Sequence, residues 1–387
     1  MTKSLKLYKS YILPCLALII LIDNSAIFQF YPIFGMRLTG MLLTALFCVV
    51  YWSSIKKELA YFSPIIYWGI LMGYHIVNLY AKNLYAIEEQ MDFTTAAICE
   101  MCIMLLISYL YKKNKQALFV LLIASLYFFL YIAYLYCEID ERSDRLDGFI
   151  GSTQLGQMAG ITCMIIALYI VLLKKNIVYY ILFIFPIFIG LLTQSRNMLF
   201  PLGFAFLILI YPHLQKKRMI YIIGYITLGI ICYSYLLTTD LFTRALDSKV
   251  EGYWKTNTIL DSVLGDRALY YVMGFANWLE NPLTGIGLYN FMDYNRFWYP
   301  LHGEFITHFA EGGLIGIVLY LVFLHKFMKP MLKNWRFSNI NQNIMIMSLL
   351  CILILGFTTR EYPFIFFFVV YGILLGYINE TISKTVK

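Results

Sequence analysis

Continuous apolar runs of 16 to 22 residues recur along the whole chain, divided by short polar or charged segments. A run of that length matches a transmembrane helix, which needs about 20 residues to cross a hydrocarbon core of roughly 30 Å. The runs do not alternate inward and outward positions, so a membrane β-barrel is disfavoured. The pattern predicts an all-α integral membrane protein with about twelve transmembrane helices, at 9–30, 36–53, 61–80, 91–111, 116–137, 154–173, 177–194, 197–213, 219–238, 303–328, 341–359 and 362–379. Residues 1–387 read as a single polytopic domain with one long excursion, 239–302. That excursion is rich in aromatics (Phe242, Tyr253, Trp254, Tyr270, Tyr271, Phe275, Trp278) and is expected to be an ordered loop with short helices, the kind of loop that carries function. A helix is expected from Asp266 to about Glu280, stopped by Asn281-Pro282, with a turn at Gly285-Ile286-Gly287.

Charge orients the chain. Lys3, Lys6, Lys9, Lys56, Lys57, Lys112, Lys113, Lys115, Lys174, Lys175, Lys216, Lys217, Arg218, Lys326, Lys329, Lys333, Arg336, Lys384 and Lys387 fall in every second inter-span segment, offset there only by Glu58 and Glu380. These are 19 of the 30 basic residues, so the positive-inside rule puts both termini in the cytoplasm and 239–302 on the opposite side of the membrane. The net charge of +8 is thereby a topology signal, and nucleic acid is not an expected partner. Lys3–Lys9 followed by an apolar stretch has the look of a secretory signal, but Leu21-Ile22-Asp23-Asn24 offers no small-residue cleavage site, so an uncleaved first span is expected. Seven of the eight cysteines lie in apolar runs, which leaves no disulfide framework. Tyr and Trp at the span ends form first of all an interfacial belt.

Titratable groups at a bilayer boundary are costly and mark a candidate site. Pro300-Leu301-His302-Gly303-Glu304 leads into Ala310-Glu311-Gly312-Gly313-Leu314-Ile315-Gly316 at such a boundary. On a helix Glu304, His308 and Glu311 share a face. His302 precedes that helix at the end of the long loop, where a neutral imidazole can take a proton from an attacking hydroxyl. His213 and His325 adjoin cytoplasmic segments, and His75 reads as a hydrogen-bonded residue within a span. The spacing of His302, Glu304 and His308 does not fit the zinc-protease pattern, and neither a metal nor a cofactor is expected. Arg196, Arg267, Arg360, Arg142 and Arg145 lie at or near the outer surface, and guanidinium groups there suit a diphosphate. Gly156-x-x-x-Gly160 and Gly312-x-x-x-Gly316 are small-residue pairs that allow close helix approach. No Walker A loop or Gly-rich dinucleotide turn is present, which favours a donor already activated within the membrane.

Three blocks, taken together, resemble the bacterial O-antigen ligase and polymerase superfamily of membrane glycosyltransferases. They are Leu192-Thr193-Gln194-Ser195-Arg196, then Arg267…Trp278…Asn281-Pro282-Leu283-Thr284-Gly285-Ile286-Gly287, then His302…Glu311-Gly312-Gly313…Gly316. Gly303 stands where the family usually has Asn. Asp23-Asn24, Arg145 before Gly151-Ser152-Thr153, and Arg360 between the last two spans are most similar to enterobacterial lipopolysaccharide O-antigen ligases. The resemblance implies an undecaprenyl-diphosphate-linked glycan donor and a lipid A-core acceptor for a ligase, or a second lipid-linked repeat unit for a polymerase. It implies inverting, metal-independent transfer with His302 as base, Arg196 and Arg267 on the leaving diphosphate, and Arg145, Arg360 and Glu304 as further substrate-binding residues. A flippase for lipid-linked sugars is the remaining reading; its charges would sit at mid-membrane on interrupted helices.

Overall fold

The computed structural model describes residues 11–22, 34–82, 87–140, 145–148, 152–193, 195–215, 227, 267–288, 290–295, 301, 303–333, 335–358 and 365–385. In chain order the helices are α1 (Tyr11–Ile22), α2 (Phe34–Val50), α3 (Trp52–Glu58), α4 (Ser63–Lys82), α5 (Ile87–Lys113), α6 (Lys115–Tyr136), α7 (Ser152–Leu172), α8 (Ile184–Thr193), α9 (Leu199–Gln215), α10 (Arg267–Glu280), α11 (Phe291–Asn295), α12 (Glu304–Ala310), α13 (Gly313–Leu332), α14 (Ile340–Thr358) and α15 (Ile365–Thr385). Short 3-10 segments, Ile177–Phe183 and Arg196–Met198, lead into α8 and α9.

Helices therefore occupy eleven of the twelve predicted segments, and the twelfth, 219–238, lies outside the described residues apart from position 227. Six of the described helices are long and apolar enough to cross a membrane, or seven if α2 and α3, bent by 86°, count as one span. Length and composition thus support fewer crossings than twelve. The reason is visible in the shortfall: α1, α8 and α9 are short, and α4, though 20 residues long, carries Tyr74, His75, Asn78 and Lys82. The all-α expectation also needs one correction. Cys137–Asp140 and Arg145–Gly148, β1 and β2, pair antiparallel with Cys137 opposite Gly148 and Asp140 opposite Arg145. Cys137-Glu138-Ile139-Asp140 and Arg145-Leu146-Asp147 do alternate apolar and charged positions, but runs this short sit at the lower limit of what alternation can identify.

The helices pack into a bundle whose middle is α7, hydrophobic around its circumference and buried nearly all round, as a fully enclosed helix must be. Trp68 on α4 is wholly buried, 4.9 Å from Phe323 and 4.8 Å from Phe368 between ring centroids, and its indole N–H donates to Glu100 at 3.0 Å. Outward positions such as Leu42, Val49, Val77, Val120, Phe128, Val178 and Leu321 leave large apolar side chains exposed. A continuous apolar exterior of this kind belongs against lipid, and the protein is a multi-pass membrane protein.

At one end of the bundle the two acids of the basic segments each hold a pair of lysines. Glu58 meets Lys113 at 2.6 Å and Lys112 at 3.7 Å, and Glu380 meets Lys115 at 2.5 Å and Lys384 at 3.0 Å. These pairs are partly solvated, so each contributes on the order of 1 kcal/mol or less. Their effect is to gather α3, α5, α6 and α15 at the basic end. The opposite end carries Lys82, the 281–287 turn and α12.

Candidate active site at a glycine interlock

The predicted continuous span at 303–328 is broken. α12 stops at Ala310, Glu311-Gly312 bridges, and α13 restarts at Gly313 with φ +64. The break is filled by backbone from elsewhere. Residues 281–287 lay their peptide groups along it: Ile286 N–H donates to Ala310 O at 2.9 Å, Gly287 N–H to Glu311 O at 3.0 Å, Leu314 N–H to Pro282 O at 2.8 Å and Ile315 N–H to Leu283 O at 3.2 Å. Two glycines make the approach possible. A Cβ on Gly313 would run into Gly285 N and Leu283 O, and one on Gly285, itself at φ +66, would run into Glu311 C and O. Two of the glycine blocks read from the sequence are thus one interlock, and their glycines are needed because backbone meets backbone.

A polar row on α4 holds the turn from the other side. Tyr74, Asn78 and Lys82 recur every four residues, one per helical turn on a single face. The Tyr74 hydroxyl donates to Gly312 O at 2.7 Å, Asn78 Nδ2 to Thr284 O at 2.8 Å and Lys82 Nζ to Gly285 O at 2.6 Å.

Beside the interlock runs a buried line of titratable groups. His308 Nε2 lies 2.7 Å from Glu304 Oε1, a pair spaced i, i+4 on α12, and His308 Nδ1 lies 2.8 Å from His75 Nε2 on α4. All three side chains are essentially removed from the surface, and Glu311 is buried next to them. The His308 ring is sandwiched, its centroid 5.0 Å from His75 and 4.5 Å from Tyr320. Room for His75 comes from the Gly312-x-x-x-Gly316 pair: a Cβ on Gly312 would sit 2.7 Å from His75 Cε1 and 2.7 Å from His308 O. This pair therefore admits an imidazole and a carbonyl, where close packing of two helix backbones was expected. With both ring nitrogens directed at protein groups, His308 is not set up as a ligand, and among the described residues no group of three His, Cys, Asp or Glu is placed to hold a metal.

α10 crosses α12. Gly274 faces Ile306 and Ala310, and Trp278 stacks near Phe309 at 4.5 Å. Tyr271 donates to Phe357 O at 2.6 Å, and Phe305 stacks on Phe357 at 4.4 Å, which ties this pair of helices to the end of α14. Gly303, the N-cap of α12, has φ +114 and lies under the same contacts; a Cβ there would be 2.9 Å from Phe357 O and 3.0 Å from the Tyr271 hydroxyl. That conformation and crowding account for Gly at this position.

Of the residues expected at the site, Glu304 is placed as described. His302 lies outside the described residues, between buried Leu301 and Gly303; Arg360 also lies outside them, following α14. Arg142 falls in the undescribed 141–144. Arg267 opens α10, Arg145 opens β2 and Arg196 opens the 3-10 turn before α9, each placed by its backbone. The Arg196 turn is seated by the other small pair: Cβ atoms on Gly156 and Gly160 would press on Thr193 Oγ1 at 2.6 Å and Pro201 Cγ at 2.6 Å. β2 packs on α7 and α8, and α14 packs on both α9 and α12, so the elements bearing these residues are contiguous. The sequence reading gave His75 its place as a hydrogen-bonded residue within a span but passed over Tyr74 and Asn78. Their signal was present: a span with an imidazole, an amide and a lysine on adjoining turns is costly unless those groups have partners.

Residues 181–321 match a family model described as O-antigen ligase, which supports the resemblance to the O-antigen ligase and polymerase superfamily. No curated protein matches the chain. The matched segment contains Arg196, α10, the 281–287 turn, α12 and the start of α13.

Proposed function

We propose, from the premise that this is a membrane glycosyltransferase of the O-antigen ligase and polymerase superfamily, that it is the ligase: it moves an undecaprenyl-diphosphate-linked glycan onto a sugar hydroxyl of the lipid A core. The observation that carries this reading is the interlock, which joins the turn after α10 to the α12–α13 break, so that the blocks bearing Arg267 and His302 belong to one structural unit. In the proposed reaction His302 accepts the proton of the acceptor hydroxyl, whose oxygen attacks the anomeric carbon of the donor with inversion. The diphosphate leaves against Arg196 and Arg267, with Arg145 and Arg360 lining the substrate side, while Glu304, buried against His308, supports the start of α12 instead of touching substrate. Positive groups set where negative charge develops lower the barrier without reorganising. No metal takes part in this scheme.

The topology that goes with it is twelve spans in the inner membrane, both termini cytoplasmic, with 239–302 forming the periplasmic loop. The segment Ile177–Thr193 supports a count above seven: seven residues of 3-10 and ten of α-helix reach about 29 Å at roughly 2.0 and 1.5 Å per residue, close to the hydrocarbon thickness.

Deleting the gene and separating lipopolysaccharide on a gel tests the ligase assignment. Unsubstituted core with accumulated lipid-linked polymer is the expected result, whereas core bearing a single repeat unit would make the protein a polymerase. The diphosphate role has its own measure. Arg196→Ala and Arg267→Ala are each expected to weaken donor use by on the order of 2–5 kcal/mol, as for one arm of a desolvated guanidinium–phosphate pair. Arg196→Lys is expected to be impaired as well, because an ammonium cannot supply the two-pronged contact. Normal transfer by both Ala variants at wild-type expression would remove these arginines from the site.

A further inference from the structure

We propose that His75 is a positioning residue for the transfer reaction, acting through His308 and Glu304 on the segment that carries His302. The proposal rests on the reading of His302 as the base. Glu304 is the first residue of α12, and only Gly303 separates it from His302. Gly303 sits at φ +114, a conformation open to glycine and closed to most residues. The first turn of α12 is placed by its contacts, and the Glu304 carboxylate lies 2.7 Å from His308 Nε2.

His308 is in turn held at its second nitrogen. Its Nε2 is 2.7 Å from Glu304 Oε1, a close polar contact without the alignment of a hydrogen bond. Of the two nitrogens that face each other across the rings, one donates and the other accepts, as the tautomers decide. Either way one proton occupies the 2.8 Å line between the rings, and the His308 ring cannot turn without breaking a contact on each side. The Tyr320 ring lies against the His308 ring, and Gly312 and Gly316 line the His75 ring that faces it. His75 lies on α4, more than two hundred residues away in sequence, and α4 also holds the interlock through Tyr74, Asn78 and Lys82. One helix thus fixes both the turn beside the site and the start of the helix that follows His302. A small displacement of a reacting group costs on the order of 100-fold in rate.

The test uses the full-length protein in lipid nanodiscs, with lipid-linked glycan donor and core acceptor, and compares His75→Leu, His75→Gln, His75→Asn and His302→Ala. His75→Leu is expected to lower kcat about 100-fold with KM for the donor unchanged. His75→Gln, whose amide N–H reaches the place of Nε2, is expected to recover most of kcat. His75→Asn, one methylene shorter, is expected not to. Should the Leu variant fail to fold, the Gln and Asn pair decides: equal kcat for the two overturns the proposal. Wild-type kcat in His75→Leu beside a slow His302→Ala overturns it too and leaves the base assignment standing. Wild-type kcat in His302→Ala would instead overturn the base assignment itself.

Discussion

His302→Ala is expected to insert, fold and bind the lipid-linked donor, and to transfer glycan roughly 100- to 10,000-fold more slowly, the range a positioned general base supplies. In the chain the residue follows buried Leu301 and precedes Gly303, the α12 N-cap. His308 provides the comparison. It is buried and in close polar contact at both ring nitrogens, so His308→Ala strips Glu304 and His75 of a buried neighbour. That loss is expected to cost on the order of 1–3 kcal/mol of stability, seen as a lower melting temperature in detergent, before it costs proton transfer. Both purified variants are to be assayed with and without a chelator. Undiminished transfer by His302→Ala beside a well-folded, inactive His308→Ala would move the base to His308. Abolition of wild-type transfer by the chelator would bring back a metal.

Gly313→Val carries the second large effect, on folding. The position has φ +64, which costs an L-residue about 1–2 kcal/mol. Its Cβ would also overlap the backbone of Leu283 and Gly285, which cannot rotate aside as a side chain could. Relief requires the turn to lift from the break, with loss of up to the four hydrogen bonds that join them, at about 0.5–1.5 kcal/mol each. The sum is about 3–8 kcal/mol, comparable to or above the whole stability of many domains. Little folded protein is expected, as read by yield and monodispersity on size-exclusion chromatography. Normal yield and melting temperature for this variant would mean that the interlock is dispensable.

Much of this was legible because membrane spans announce themselves by length and apolarity alone. The positions of α5, α6, α7, α14 and α15, the α10 helix stopped by Asn281-Pro282, and the turn at Gly285–Gly287 all follow from local pattern. The pairing of Glu304 with His308 followed from i, i+4 spacing. What local pattern could not supply was contact between distant segments. His75 was read as one hydrogen-bonded histidine within a span, which it is; that its partner is His308 depends on α4 packing against α13, which no periodicity encodes. The break at Glu311–Gly312 was hidden for a related reason: α12 and α13 are both helical and mostly apolar, and the interruption is stabilised by backbone arriving from residues 281–287. Each glycine of the two blocks could be recognised as significant, but its necessity arises only where the two blocks touch.

The bonds that hold the 282–284 stretch have a consequence for how such a site can diversify. Pro282, Leu283 and Thr284 are gripped by their carbonyl oxygens, from Leu314, Ile315, Tyr74 and Asn78, while their side chains face outward. A carbonyl is common to every amino acid. Replacements at these three positions can therefore leave the grip untouched while changing the surface presented outside, and lineages that meet different sugars could alter that surface without rebuilding the frame beneath it.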